Sequence, residues 1–193
     1  MIEMSSLEPE GERVLVERAK KDPGAFGVLF ERYHGLIFGY VLRRVRVWEV
    51  ARDLTSETFL KALSGLWRYR WMNVPFSAWL YRIATNEIGM YFRRGKVVLE
   101  SLDRMMEGRG LDPVDPASLE TERLEAERTL AGNTEFAAVQ VALVRLPLPY
   151  QEVIALRYFE KKSLKEIAKI LGKKEGTVKS LLSRGIRKLR KVL

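Results

Sequence analysis

Residues 163–189 read SLKEIAKILGKKEGTVKSLLSRGIRKL and decide how the end of the chain folds. Ser163 followed by Glu166 forms a capping box, in which each side chain binds a free backbone amide at the start of a helix. Apolar residues then recur at spacings of three and four, and Gly172 suits the end of the helix. A second helix is expected to begin near Glu175. The pattern predicts a helix-turn-helix unit.

The second of these helices separates apolar side chains from basic ones. At about 100° per residue, its apolar residues between Val178 and Leu193 fall within an arc of about 140°. A helix with a basic, hydroxyl-rich face fits the major groove of DNA, where arginine binds guanine edges and lysine binds phosphates. A basic helix that is only soluble, or that binds a membrane or an acidic protein, is the plainer alternative. The candidate DNA-binding residues are Lys174, Thr177, Lys179, Ser180, Ser183, Arg184 and Arg187.

Helical spacing continues toward the amino terminus. Asp22-Pro23 suits a helix start, residues 50–67 form a second helix, and Phe76 opens a third that reaches about Arg94. Residues expected to face inward from the second helix are Leu54, Thr58, Phe59, Ala62, Leu63 and Leu66. Residues 100–134 are instead acidic and interrupted by glycine and proline, which is linker composition. We therefore predict an all-α fold with two small helical domains, residues 22–97 and 136–193, joined by a flexible acidic linker at 98–135.

Composition narrows the function classes. The chain has 193 residues, a net charge of +9 and no cysteine, which excludes disulfides and cysteine-based catalysis. Charge is uneven, because residues 135–193 hold much of the excess of lysine and arginine while the segment before them is acidic. A basic terminal domain indicates a polyanionic partner. Since the amino terminus does not resemble a signal peptide and no apolar run is long enough to span a bilayer, we expect a soluble, cytoplasmic protein without membrane insertion.

Two sets of motifs resemble one known family. The carboxyl-terminal set comprises Leu146-Pro147, VIALRY at 153–158, SLKEIA at 163–168 and GTVKS at 176–180, and resembles region four of sigma-70 family factors. The amino-terminal set comprises DLTSETF at 53–59 and FSAWLYRIATN at 76–86, and is similar to region two. Two domains without a large insertion resemble the extracytoplasmic-function (ECF) group. The resemblance covers about residues 22–97 and 136–193.

The resemblance implies a sigma factor of RNA polymerase. Such a subunit joins core RNA polymerase at the clamp helices of the largest subunit and at the flap, directs it to promoter DNA and helps to open the duplex. Such a subunit is not an enzyme, so the resemblance implies no catalytic residue, cofactor or metal. Many members of the group are also held by an anti-sigma factor, which is a candidate partner here.

The resemblance also assigns residues. Asp53, Ser56 and Glu57 would face the polymerase, although Ser56 stands where the family usually has glutamine and a solvated acidic face explains the same pattern. Lys179, Ser180 and Arg184 match the readers of the upstream element, where Leu181 replaces a frequent arginine. The residues expected to meet the melted promoter strand, by stacking on bases or balancing phosphates, are Tyr69, Arg70, Trp71, Asn73, Arg82, Asn86, Arg93 and Arg94. For Trp71, Phe76 and Trp79, packing in the core is the alternative.

Two other classes of function are alternatives to a sigma factor. A stand-alone helix-turn-helix regulator needs only the second domain and leaves residues 53–59 and 76–86 unexplained. A metal-dependent nuclease needs a ligand cluster, but the single histidine, His34, lies in an apolar helix, and Asp53 and Glu57 alone have metal-binding spacing. The sigma-factor hypothesis accounts for both domains.

Overall fold

The computed structural model describes residues 9–71, 75–103, 139, 142–143 and 145–193, with the backbone alone at 9–10 and 95–103. In its first part, α1 spans Pro9–Ala19, α2 Pro23–Val45, α3 Trp48–Gly65 and α4 Phe76–Asp103, with a 3-10 turn at Leu66–Arg68 after α3. In its second part, α5 spans Leu148–Ile154 and continues as a π-helical turn at Ala155–Phe159, followed by α6 at Leu164–Leu171 and α7 at Glu175–Leu189. The predicted all-α fold is confirmed.

The first helical unit is built around α2. This helix begins where the sequence predicts, because the Asp22 carboxylate accepts a hydrogen bond from the Gly24 amide at 2.9 Å and Pro23 occupies the first turn. Helices α1, α3 and α4 pack against α2, and Leu29, Ile37 and Tyr40 lie fully buried between them. Burial of this apolar surface holds the bundle together.

Two local expectations for this unit were wrong. The domain boundary at residue 22 stays a prediction, and α1, which precedes it, buries Val16 and Ala19. Helix α4 runs to Asp103 instead of ending near Arg94. Leu63, expected to face inward, is 46% exposed, because it lies beside the inward stripe of α3 that Thr55, Phe59 and Ala62 form. The sequence did not predict α1, because the apolar face of this helix is short and the start of the chain is acidic.

The second helical unit packs α5, α6 and α7 around a small core. Val153, Leu156, Ile167 and Val178 are fully buried in it. Helix α7 approaches α5 closely at Gly185, where an added Cβ would lie 3.1 Å from Ile154 Cδ1 and 3.3 Å from Tyr150 Cβ. The absence of a side chain at Gly185 therefore permits this close approach of the two helices.

The linker prediction falls largely outside the described residues. Residues 98–103 belong to α4, and the described part of the chain resumes only at residue 139. The proposed boundaries at 97, 98, 135 and 136 therefore stay predictions. Across the described ranges, no helix combines the length and apolar character needed to cross a bilayer.

Candidate nucleic-acid interfaces

Helix α7 presents the face that the sequence assigns to DNA. Val178 is fully buried, and Leu181, Leu182 and Leu189 pack partly buried against the core. Ser180 is half-buried at the edge of that packed side. The other six candidates are exposed, namely Lys174, Thr177, Lys179, Ser183, Arg184 and Arg187. A route to a DNA groove is therefore open along one side of the helix.

The predicted capping box holds α6 in front of this helix. The Ser163 hydroxyl accepts from the Glu166 amide at 3.2 Å, and the Glu166 carboxylate accepts from the Ser163 amide at 2.8 Å. Gly172 ends α6 in the left-handed conformation, with φ of 62°. Both predictions are confirmed. Together they fix the short turn that places α7 across α6.

Hydrogen bonding also sets the charge state of Glu166. Burial alone would raise the pKa of this carboxyl, but the bonds from the Ser163 hydroxyl and amide outweigh burial and leave the pKa below its usual value. A lowered folded-state pKa adds stability that is present above the unfolded value of about 4.3 and is lost as the pH falls through the folded value. The capping box is therefore intact near neutral pH.

Substituting Ser163 by alanine should lower the free energy of unfolding by about 1 kcal/mol, because an amide at the start of α6 loses its acceptor. Thermal unfolding at neutral pH measures the loss. Ser64→Ala, at an exposed site in α3, is the control and should change stability by less than about 0.5 kcal/mol. Equal stability of the Ser163 and Ser64 variants would contradict the capping role.

The start of α7 has no side-chain cap, because Lys174 has no side-chain oxygen to accept a hydrogen bond. Lys174 is extended, with φ of −73° and ψ of 147°, and its side chain makes no capping bond. Glu175 is the only acidic residue in the first turn, and Gly176 has no atom within 4 Å of the place where a Cβ would lie. An uncapped, uncrowded helix start lets backbone amides donate to an anion such as a DNA phosphate.

The residues assigned to the melted strand separate into two groups. Arg82, Asn86, Arg93 and Arg94 are exposed on α4. At about 100° per residue, the first three fall within about 40° of one another, so they form a polar stripe along one side of the helix. This stripe can follow a nucleic-acid backbone for about 16 Å. We call these three residues the α4 stripe.

Tyr69 and Trp71, which precede α4, are more buried than their sequence indicates. Tyr69 is 8% exposed, and its ring lies 5.4 Å from that of Phe76 and 4.9 Å from that of Trp79. Burial raises the pKa of Tyr69 to about 12, so its hydroxyl stays neutral. Trp71 is half-buried, Arg70 is exposed, and Asn73 lies outside the described residues. Tyr69 is therefore placed to support the loop rather than to offer a free stacking face.

A basic cleft of about 620 Å³ opens beside this loop. Its walls hold Arg68, Tyr69, Arg70, Ala78, Trp79 and Arg82 from the first unit and Lys169 from α6 of the second. Four cations beside the partly buried ring of Trp79 suit a base with its phosphate. The sequence did not indicate Arg68 or Lys169, since nothing in the local pattern shows that α6 lies against α4.

Helix α3 carries the residues assigned to the polymerase. Asp53, Ser56 and Glu57 are all exposed, as predicted. Exposed apolar side chains continue the same side of the helix, with Leu60 at 59%, Leu63 at 46% and, in the following turn, Trp67 at 66% exposure. Leucine and tryptophan at helical spacing usually indicate a core, so the sequence did not indicate that these three side chains are exposed. We call the six residues the α3 surface.

A lysine at the edge of the α3 surface links α3 to α4. Lys61 Nζ lies 3.1 Å from a Glu57 carboxylate oxygen and 2.6 Å from one of Glu87, which is buried on α4. The hydrogen bond from Lys61 to Glu87 is the main cause that raises the pKa of the lysine.

His34 is half-buried among the rings of Phe30, Phe38 and Phe59, which supports a structural role for it.

Comparison with known proteins gives matches over both units. Residues 29–97 match the family model described as Sigma-70 region 2, and residues 136–189 match Sigma-70, region 4. The chain is 31% identical to the RNA polymerase sigma-H factor of Pseudomonas aeruginosa over 97% of its own length and 96% of that protein. It is 31% identical to the ECF RNA polymerase sigma factor SigW of Bacillus subtilis, over 92% and 94% of the two chains.

A longer relative and two solved structures complete the comparison. The ECF RNA polymerase sigma factor BldN of Streptomyces coelicolor is 35% identical over 93% of this chain, which spans 64% of that protein. The structure of CnrH in complex with the cytosolic domain of CnrY matches 94% of this chain and 96% of its own, with a TM-score of 0.64 and 24% identity. The sigma factor RpoE of Bartonella quintana, solved with the anti-sigma factor NepR, matches 86% and 95% with a TM-score of 0.62 and 24% identity. These structures have the same fold as this chain.

Proposed function

The chain belongs to the sigma-70 family, within the ECF group of RNA polymerase sigma factors, and on that premise we propose how its surfaces divide the work of initiation. Helix α7 binds the upstream promoter duplex, the α4 stripe and the basic cleft bind the melted strand, and the α3 surface binds core RNA polymerase. The exposed basic side of α7 above a capped helix-turn-helix is the observation that carries this proposal.

Upstream recognition rests on the composition of the α7 face. Arg184 and Arg187 can each donate two parallel bonds to guanine O6 and N7, while Ser180 and Ser183 can bond several base edges. Lys174, Lys179 and Thr177 lie nearer the uncapped start of α7, where contacts with phosphate fix the position of the helix. Phosphate contacts give affinity that falls with salt, and the arginines give sequence preference.

Melted-strand binding rests on the α4 stripe and its neighbours. Arg82 and Arg93 supply charge for the backbone, and the Asn86 amide can both donate to and accept from a base edge. Arg70 at the cleft and Arg94 beside the stripe extend the positive surface. A strand whose bases have unstacked is longer and more flexible than duplex, so a long basic track suits it. Trp71 and Asn73 complete the proposed set.

Polymerase binding rests on the mixed character of the α3 surface. Exposed leucine and tryptophan beside carboxylates are typical of a protein interface, because the apolar groups gain from burial and the charges select the partner. The clamp helices are the proposed partner, and the second unit would reach the flap.

We propose that the protein acts in the cytoplasm, where RNA polymerase works, as an initiation factor without a catalytic site. An anti-sigma factor, the partner named for the Bartonella protein, is a proposed second class of partner.

Substituting Leu60 by alanine should weaken binding to core RNA polymerase by about 1 kcal/mol, or roughly fivefold, because a side chain that is 59% exposed in the free protein loses its buried contact in the complex. Titration of labelled protein with core enzyme measures the change. Leu36→Ala, which removes a similarly exposed leucine of α2, is the matched control. Equal affinity of both variants would argue against the α3 surface.

The alternative of a stand-alone regulator makes a different prediction. Such a protein binds duplex through α7 but has no use for core polymerase. Pull-down of core enzyme with the full chain, followed by release when Asp53 and Glu57 are both changed to lysine, supports the sigma-factor assignment of these residues. Absence of any association with core enzyme would support the regulator.

A further inference from the structure

Helix α1 carries a buried carboxylate that belongs to none of the proposed binding surfaces. Glu12 is buried against α2, where its carboxylate accepts a hydrogen bond from the Tyr33 hydroxyl. The match to Sigma-70 region 2 begins only at residue 29, so α1 lies before the matched range. Hydrogen bonds to a carboxylate are stronger than those between neutral groups, and a buried hydroxyl that loses its acceptor is costly. Glu12 therefore holds the Tyr33 side chain in one orientation.

The ring of Tyr33 connects α1 to the start of α4. Its centroid lies 5.9 Å from that of Phe76, and the Phe76 centroid lies 5.4 Å from that of Tyr69 and 5.5 Å from that of Trp79. We call these four residues the ring cluster. Tyr33, Tyr69 and Phe76 are all buried. Because a close-packed interior leaves little free space, a shift of one ring displaces the next.

Two members of the ring cluster form part of the basic cleft. Tyr69 and Trp79 line it together with Arg68, Arg70 and Arg82. Within the described ranges the Tyr69 hydroxyl has no hydrogen-bond partner, so the position of this side chain depends on ring packing. The aromatic wall of the cleft is therefore placed by the contacts beneath it, which lead back through Phe76 to Tyr33.

The titration of the two tyrosines agrees with this arrangement. Burial raises the pKa of Tyr33, and the hydrogen bond to Glu12 raises it further. Tyr33 therefore keeps the proton that it donates to Glu12 near neutral pH. Burial is also the main cause that raises the pKa of Tyr69, and the charge of Glu12 is the next. Glu12 thus acts electrostatically on a residue of the cleft wall as well as through Tyr33.

We propose that Glu12 is a positioning residue for the melted-strand site, because through Tyr33 it fixes the ring cluster and with it the aromatic wall of the basic cleft. This inference rests on the proposed function of that cleft. Glu12 itself does not contact DNA. A site whose groups are already held in place loses less free energy to ordering when its ligand binds. Loss of the bond between Glu12 and Tyr33 therefore weakens binding of a single strand.

The first test observes the cleft wall without DNA. The chain has four tryptophans, and incorporation of fluorotryptophan gives resonances that are assigned by replacing each tryptophan with phenylalanine in turn. We expect the Trp79 resonance to shift or broaden in Tyr33→Phe and in Glu12→Ala. The Trp48 resonance should stay in place, since the Trp48 ring packs on Phe38, outside the ring cluster. An unchanged Trp79 resonance in both variants would overturn the positioning role.

The second test measures binding of a fluorescent single-stranded oligodeoxynucleotide to the full chain. Tyr33→Phe and Glu12→Ala should each weaken binding about fivefold, because a loosened site must be ordered on binding. Glu12→Gln keeps an oxygen that accepts from the Tyr33 hydroxyl and should restore most of the affinity. In the double variant of Glu12→Ala with Tyr33→Phe the two losses should not add, because each single change breaks the same bond. Additive losses would contradict the proposal.

The matched control is Glu17→Ala. Glu17 is an exposed glutamate of α1 that pairs with Lys20, so its removal changes the net charge as Glu12→Ala does. It should leave the Trp79 resonance and the affinity unchanged. A fall in affinity equal to that of Glu12→Ala would show that the effect comes from charge or from α1 in general, and not from the bond to Tyr33.

A destabilised variant of the second unit separates positioning from loss of stability. Val153→Ala shortens a fully buried side chain of α5, and urea unfolding compares its stability with that of Tyr33→Phe. Val153→Ala should keep both the Trp79 resonance and the affinity, and a fall like that of Tyr33→Phe would overturn the positioning role. A parent chain that does not bind the strand would contradict the proposed function of the cleft and the role of Glu12 in strand binding. The fluorine spectra would then still decide whether Glu12 fixes the ring cluster.

Discussion

Replacing Phe76 by alanine is expected to lower the free energy of unfolding by about 3–5 kcal/mol, because the ring is fully buried and its removal leaves a cavity. Its centroid lies 5.9 Å from that of Tyr33, 5.4 Å from that of Tyr69 and 5.5 Å from that of Trp79. Phe76 thus packs the start of α4 against Tyr33 of α2 and against Tyr69. The loss should appear as a lower midpoint in urea unfolding.

The control for this experiment is an aromatic side chain in the same unit. Trp67 is 66% exposed, and the Arg68 guanidinium lies 4.3 Å from its ring centroid. Trp67→Ala should change stability by less than about 0.5 kcal/mol. A Phe76 variant as stable as the Trp67 variant would show that the ring cluster does not hold the loop, and the account of Tyr69 as a supporting residue would be wrong.

Replacing Arg184 by alanine is expected to reduce discrimination of the upstream element by about 1–3 kcal/mol, or roughly 5- to 150-fold, through loss of a bidentate contact with a base. Arg184→Lys should lose most of the same discrimination while keeping the salt dependence, because lysine supplies charge but cannot form two parallel bonds. Competition between promoter fragments with intact and scrambled upstream elements measures both effects.

Arg190→Ala provides the comparison with an arginine just after α7. Arg190 is exposed beyond the end of α7 and belongs to none of the assigned sites. Its loss should weaken binding to all fragments alike, with a smaller salt slope and unchanged preference. If Arg184→Ala leaves the promoter preference as it was, α7 does not read the element through this residue.

The sequence predicted local structure well where one short pattern decides the outcome. The capping box of Ser163 and Glu166, the left-handed Gly172 and the Asp22 cap all depend on residues within four positions of each other. The basic face of α7 was also predictable, since helical geometry alone separates Arg184 from Val178. Assignment of these residues to DNA contacts stays a proposal.

Features that depend on distant contacts could not be predicted in the same way. Burial of Tyr69 is decided by its ring contacts with Phe76 and Trp79. The π-helical turn before Glu160 has no sequence signal, and the ion pair with Arg43 joins residues 117 positions apart. Exposure of Leu60 could not be predicted, because a leucine at helical spacing normally faces a core. We propose instead that Leu60 contacts another protein.

Run-off transcription with purified core RNA polymerase and a library of genomic fragments tests the central claim most directly. The protein should give transcripts of discrete length from a defined subset of fragments, with a shared upstream element, that core enzyme alone does not produce. Arg184→Ala should reduce this subset and its selectivity. Transcription that matches core enzyme alone on every fragment would contradict the assignment of this chain as a promoter-recognition subunit.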